Sequence, residues 1–154
     1  MENPASSKET IREKRRRYYK DNRYRICNYS LNCYCPKAIK KIRDSCLDAV
    51  NDYMDRYSFE EYAERDIKKE LSKNKISSSQ SVYDDCYDAG MLAYLYSIHR
   101  CAAMQYNHTE AYIKKMIRVY VICALVLYNE TKNLCRTNGF REIRLDADAS
   151  VNRY

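Results

Sequence analysis

Apolar residues crowd together at one place in the chain, the run Val119-Tyr120-Val121-Ile122-Cys123-Ala124-Leu125-Val126-Leu127-Tyr128, and elsewhere recur at steps of three and four. Lys114, Lys115 and Arg118 close one end of the run, and Asn129, Glu130 and Lys132 close the other. A spanning helix needs about 20 apolar residues, so no transmembrane segment is expected. Glu110 to Leu134 holds neither Gly nor Pro, and its polar flanks keep helical spacing, which favours a helix over a buried strand. A helix apolar on all sides belongs in the middle of a bundle, where burying each large side chain contributes at most roughly 1.5–3 kcal/mol. This central helix is expected to begin at Asn107 or Thr109 and end near Cys135, with Thr137-Asn138-Gly139 as stop chemistry.

Ile39, Ile42, Cys46, Ala49, Tyr53 and Tyr57 share one face of a helix expected from about Pro36, its first residue, to Arg56. Ser58 and Glu61 have the spacing of a capping box, opening a helix whose stripe is Phe59, Tyr62, Ala63, Ile67 and Leu71. Ser72 to Ser81 is Ser-rich and aperiodic, hence a loop. Ser81 caps a helix to about Tyr106 in which Cys86, Ala89, Gly90, Ala93, Ser97 and Cys101 form a small-residue ridge, suited to close approach by the central helix. Near the start, Ser7 is expected to cap a basic helix to about Arg25, and Cys27 to Cys35 reads as a connector. The basic helix buries little through Ile11, Tyr18, Tyr19 and Tyr24, so it needs the bundle or a partner to order it.

With two Gly, two Pro and long unbroken periodic stretches, the fold class is all-α: a compact, disulfide-stapled bundle of about five helices around the central apolar helix. The expected organisation is a basic N-terminal arm or helix over 1–26, a helical domain over 27–139 and a C-terminal tail over 140–154. A length of 154 residues at 45% hydrophobic content suffices for one domain with a core.

The net charge of +7 is mostly local. Arg12, Lys14, Arg15, Arg16, Arg17, Lys20, Arg23 and Arg25 face only Glu13 and Asp21. Arg interleaved with Tyr18 and Tyr19 could hold a nucleic acid through phosphate contacts and stacking, although no reader module accompanies it; Arg15, Arg16, Arg17, Tyr18 and Tyr19 are the candidate binding patch. The 17 Tyr supply apolar bodies with polar tips, and the Tyr-rich faces of 53–62 and 83–96 are further candidates for contact.

Eight cysteines make an even, high count: Cys27, Cys33, Cys35, Cys46, Cys86, Cys101, Cys123 and Cys135. Met1 to Ile11 has no apolar segment of the signal-peptide kind, so the chain is either cytoplasmic or a mature secreted form. The sequons at Asn28, Asn107 and Asn129 lean toward secretion. At about 1.5 Å per residue, Cys86 and Cys101, and likewise Cys123 and Cys135, stand roughly 18–22 Å apart within their helices, too far to bridge. Cys86 with Cys135 matches in height across an antiparallel pair, leaving Cys27, Cys33, Cys35 and Cys46 to bridge among themselves or to Cys101 and Cys123. The rival reading of Cys27, Cys33, Cys35 and Cys46 is a zinc site, against which their spacing argues. Neither catalytic residues nor a cofactor or metal are expected. His99 and His108 form no ligand pair, and Gly90 and Gly139 cannot build a phosphate loop.

The literal Cys33-Tyr34-Cys35, in a Cys-rich, Tyr-rich, basic and helical chain, resembles the bicycle proteins, secreted salivary effectors of gall-forming aphids named for paired cysteine-tyrosine-cysteine motifs. A second motif is not literal here. The resemblance implies secretion into a plant host, a disulfide-bonded helical fold, and action by binding a host macromolecule, most simply a protein, without catalysis. The alternative is an intracellular helical bundle resembling viral inhibitors of apoptosis or immune signalling, which also surround a central apolar helix.

Overall fold

The computed structural model describes residues 9–138, with side chains through Lys132. The proposed tail over 140–154 lies outside them. Thr10, rather than Ser7, opens helix α1 (Ile11–Tyr29): its hydroxyl accepts from the Glu13 N–H at 3.1 Å, and the Glu13 carboxylate accepts from the Thr10 N–H at 3.3 Å. This reciprocal pair satisfies two of the amide groups a helix start leaves without partners.

The stretch expected to connect two helices is itself helical. Ser30–Tyr34 forms a π-helical segment joining α1 directly to α2 (Cys35–Arg56), with helical backbone angles at both junctions. Pro36 explains the departure. Inside a helix its ring collides with the carbonyl four residues back and it offers no N–H, so a wider turn just before it relieves the conflict. The Cys35 N–H reaches Ser30, five residues back. α2 kinks at Cys46 (φ −135°, ψ 36°).

α3 (Phe59–Tyr62) and α4 (Glu64–Lys73) divide what the sequence reads as one helix. Ser58 makes no side-chain cap, but the predicted stripe holds: Ala63, Ile67 and Leu71 are buried. α5 (Val82–Met104) follows a loop anchored by buried Ile76, and α6 (Thr109–Asn138) completes the bundle. Ser81 does not cap α5; its hydroxyl instead bonds the Tyr128 hydroxyl at 2.6 Å.

α5 is the enclosed helix, packed on α2 and α6 together, with α4 bridging α5 and α6 and α1 resting on α6. Every member of the predicted small-residue ridge is buried. The apolar run of α6 is less enclosed than its composition suggests, since Val119 and Ile122 are 38% and 39% exposed while Ile113, Ile117, Tyr120, Val121 and Ala124 face the core. Both α4 and α5 end on a non-glycine residue in the left-handed region, Lys75 (φ 58°) and Gln105 (φ 51°). At each, the following N–H returns to the carbonyl five residues back: Ile76 to Leu71 and Tyr106 to Cys101, both at 2.9 Å.

Gly90 marks the crossing of α5 by α4, where an added Cβ would meet Ile67 Cγ1 at 2.7 Å. Gly90→Ala should therefore lower stability by about 1–2 kcal/mol, because overpacking outweighs the ~1 kcal/mol gained in helix propensity. Gln105→Gly should raise it by about 1 kcal/mol by removing the left-handed penalty. Urea midpoints followed by circular dichroism check both, and a stabilised Gly90→Ala protein would contradict this crossing.

His99 is buried, its Nδ1–H donating to the Leu95 carbonyl at 2.6 Å, while Nε2 has no partner among the described residues. Burial lowers its pKa, the Leu95 bond opposes the shift and Arg43 adds to it. Below about pH 6.5 the unfolded chain thus binds the proton more readily than the folded one, and stability falls as pH drops through that window. A smaller drop in urea midpoint from pH 7.5 to 5.5 in His99→Leu than in wild type is the expected result.

Candidate functional site

Cys27, Leu31 and Cys35 recur every four residues and are all buried. The wider π turn keeps them on one line, where ordinary helical drift would carry the last one sideways. α1 rests on α6 through this line. The Tyr19 hydroxyl lies 3.8 Å from Cys27 Sγ, and Cys123 of α6 is near enough to influence the Cys27 thiol. The Cys35 thiol bonds the Tyr120 hydroxyl, one turn before Cys123 on α6.

Interaction with Cys123 draws the Cys27 pKa down to about 7 against the opposing effect of burial, helped by Tyr19 and Arg23. The same interaction, then burial, pushes Cys123 up, so of the two thiols Cys27 is the one that ionises more readily. Tyr19 is pushed up to about 12, first by burial and then by Cys27. Burial raises Cys35 and, with the Cys35 bond, Tyr120. Away from the cluster, burial lifts Cys86 to about 11.

The tyrosines extend this cluster through the core. Tyr120 stacks on Tyr96 at 6.0 Å between centroids, Tyr96 meets Tyr34 at 6.2 Å, and Tyr34 meets Tyr29 at 6.3 Å. Burial, then the neighbouring Tyr34 hydroxyl, pushes the Tyr96 pKa up, and burial raises Tyr112. In the Cys33-Tyr34-Cys35 motif, both cysteines are buried and Tyr34 is exposed, between Tyr96 and the outermost ring of the stack, Tyr29. Tyr53, Tyr94 and Tyr96, expected on contact faces, are core residues instead, and the Tyr94 hydroxyl donates to the Tyr57 carbonyl at 2.5 Å. An open cleft of about 390 Å³ lies beside the cluster, apolar along Leu31, Leu92 and Leu127 and acidic at Asp85 and Asp88.

The expected disulfide staples are not bonded. Cys27, Cys33, Cys35, Cys46, Cys86, Cys101 and Cys123 are all free thiols. Of the favoured Cys86–Cys135 pair, Cys86 is free and the Cys135 side chain lies outside the described residues. Cys46 sits half-buried at the kink of α2 beside Ser45, and Cys101 is a buried thiol of α5. Among the described residues no three metal-binding side chains gather, so Cys27, Cys33, Cys35 and Cys46 do not form a zinc set.

The basic patch stands apart from the thiols. Every residue from Ile11 to Asp21 is exposed, so this half of α1 projects beyond the bundle. Arg23 pairs with Glu130 at 2.7 Å where the helix meets α6, and Arg17 pairs with Glu9 at 3.0 Å. Among the described residues Arg12, Lys14, Arg15, Arg16 and Lys20 have no ion pair. Ile11, Arg12, Arg15, Arg16 and Tyr19 line one side of the arm. The patch was readable from charge alone. The bond of Cys35 to Tyr120 was not, and Cys27 with Cys123 was only one of several pairings left open.

The chain matches no known protein family, curated protein or solved structure.

Tyr120→Phe should cost about 1 kcal/mol by leaving the buried Cys35 thiol without its partner, and less in a Cys35→Ala background. A double-mutant cycle in urea checks this, with equal costs in both backgrounds as the contrary result.

Proposed function

We propose that this protein works by binding, as a secreted effector whose projecting basic helix engages an acidic surface of a host macromolecule while the packed bundle serves as its scaffold. The observation that carries this reading is the exposure of Ile11–Asp21 on every side, with Arg12, Lys14, Arg15, Arg16 and Lys20 held without counter-charges. Like charges crowded on one helix repel, and an acidic partner relieves that repulsion while drawing the arm in over long range. Exposed Ile11, Tyr18 and Tyr19 add apolar area to the same surface. The resemblance carried by Cys33-Tyr34-Cys35 extends the reading to a plant host and to a protein partner. The free thiols favour a second reading, an intracellular bundle of the viral-inhibitor type.

Cross-linking to plant-cell proteins, with the linked residues mapped, tests the first reading. Links should concentrate on Lys14 and Lys20 and fall by about tenfold or more in the Arg15→Glu, Arg16→Glu, Arg17→Glu protein, whose melting temperature should stay unchanged. Links spread over the bundle and indifferent to charge reversal would remove the arm from the binding surface.

A further inference from the structure

A second cleft, of about 460 Å³, opens where α2 passes α5 beside the end of α1. Pockets for small ligands span about 300–1,000 Å³. Tyr29 and Tyr34 present exposed rings to it, and Lys37 and Lys41 of α2 and Arg100 of α5 line it together with apolar Ile42. Among the described residues no carboxylate lines this cleft, and none of the three cations has an ion pair. Lys37 and Lys41 stand four residues apart on one helix face, where like charges repel, and Arg100 adds a third charge from the neighbouring helix. An anion in the cleft relieves that repulsion. Tyr34 is held in place before any ligand arrives: Cys33 and Cys35 on either side of it are buried, and its ring meets Tyr96 of α5 at 6.2 Å between centroids. A ring positioned in advance loses little freedom when another ring stacks on it.

We propose that this cleft binds a mononucleotide, its base stacked on Tyr34 beside Tyr29 and its phosphate held by Lys37, Lys41 and Arg100. The placement of charge relative to ring selects this class of ligand. At about 1.5 Å per residue, Lys37 and Lys41 stand roughly 5 and 10 Å along the helix from Tyr34, an interval suited to a ring and a phosphate joined through a sugar. Three cations also match a phosphate monoester, which carries a charge of about −1.5 to −2 near neutral pH, better than a single carboxylate. Every base has a π face, so purine and pyrimidine nucleotides both fit the stacking ring. The Cys33-Tyr34-Cys35 motif thereby anchors that ring, with its buried sulfurs fixing the backbone on both sides. The cleft shares no lining residue with the projecting half of α1, so it is available whichever partner the arm binds.

The test is titration calorimetry on the full chain in low salt, with AMP and UMP as probes and adenosine, phenyl phosphate and inorganic phosphate for comparison. AMP and UMP should each bind one per chain, and the three comparison compounds at least about tenfold more weakly. Replacing both lysines, Lys37→Gln with Lys41→Gln, should weaken AMP by about tenfold or more and flatten its salt dependence. Tyr34→Leu should weaken AMP by about tenfold while leaving inorganic phosphate unchanged. The Arg15→Glu, Arg16→Glu, Arg17→Glu protein should bind AMP as wild type does, which separates the cleft from general attraction to a basic chain. The comparison of probes on the wild-type chain decides the matter even if a variant fails to fold. Binding of neither nucleotide, inorganic phosphate bound as tightly as AMP, or loss of AMP binding on charge reversal in the arm would overturn the proposal.

Discussion

The enclosure of α5 between α2 and α6 is the constraint from which most of the structure follows. Two helices can approach a third closely only where its side chains are short, and Cys86, Ala89, Gly90, Ala93, Ser97 and Cys101 meet that condition along its length. Gly90 is the limiting case, since α4 brings Ile67 to where a methyl group would sit. The bulky residues of this helix are tyrosines, and their hydroxyls must find partners once the rings are inside. Tyr94 finds the carbonyl that ends α2, while Tyr96 packs its ring between Tyr34 and Tyr120.

That demand ties the core to the thiols. A buried hydroxyl on α6 and a buried thiol at the head of α2 satisfy each other as Tyr120 and Cys35, and one turn further along α6 lies buried Cys123, which acts on the Cys27 thiol. The cysteine-tyrosine-cysteine motif is thus split by the helix surface, its sulfurs turned inward and its ring joined to a stack that runs into the core. Composition-level expectations of a disulfide framework treated the cysteines as one set. Their burial and partners separate them into thiols that meet a tyrosine hydroxyl, Cys27 and Cys35, simple core residues, and Cys46 half-buried at the kink of α2.

The fold class, the small-residue ridge and the stripe of α4 were legible because side-chain size and three-to-four spacing are local properties. The basic patch was legible for the same reason. Three features were not. Pro36 read as a helix start because that is where proline costs least, yet the chain instead widened the turn before it. Lys75 and Gln105 end helices where glycine is the usual signal, so nothing in their identity marks the stop. Val119 and Ile122 are as apolar as their neighbours, and only the placement of the other helices decides that they face solvent. At the site, Cys27 and Cys123 are far apart in sequence, and how near they come depends on how α1 turns relative to α6.

The π segment fixes that turn. Without an interruption, α1 and α2 would be one straight α-helix, and the direction in which each side chain of α1 points would follow from α2 at about 100° per residue. The wide turn at Ser30–Tyr34 resets this phase. It works as an angular offset between a helix built into the core and one that leaves it. Evolution could steer the basic side chains around the axis of the arm by gaining or losing a single residue there, without altering any residue of the arm itself.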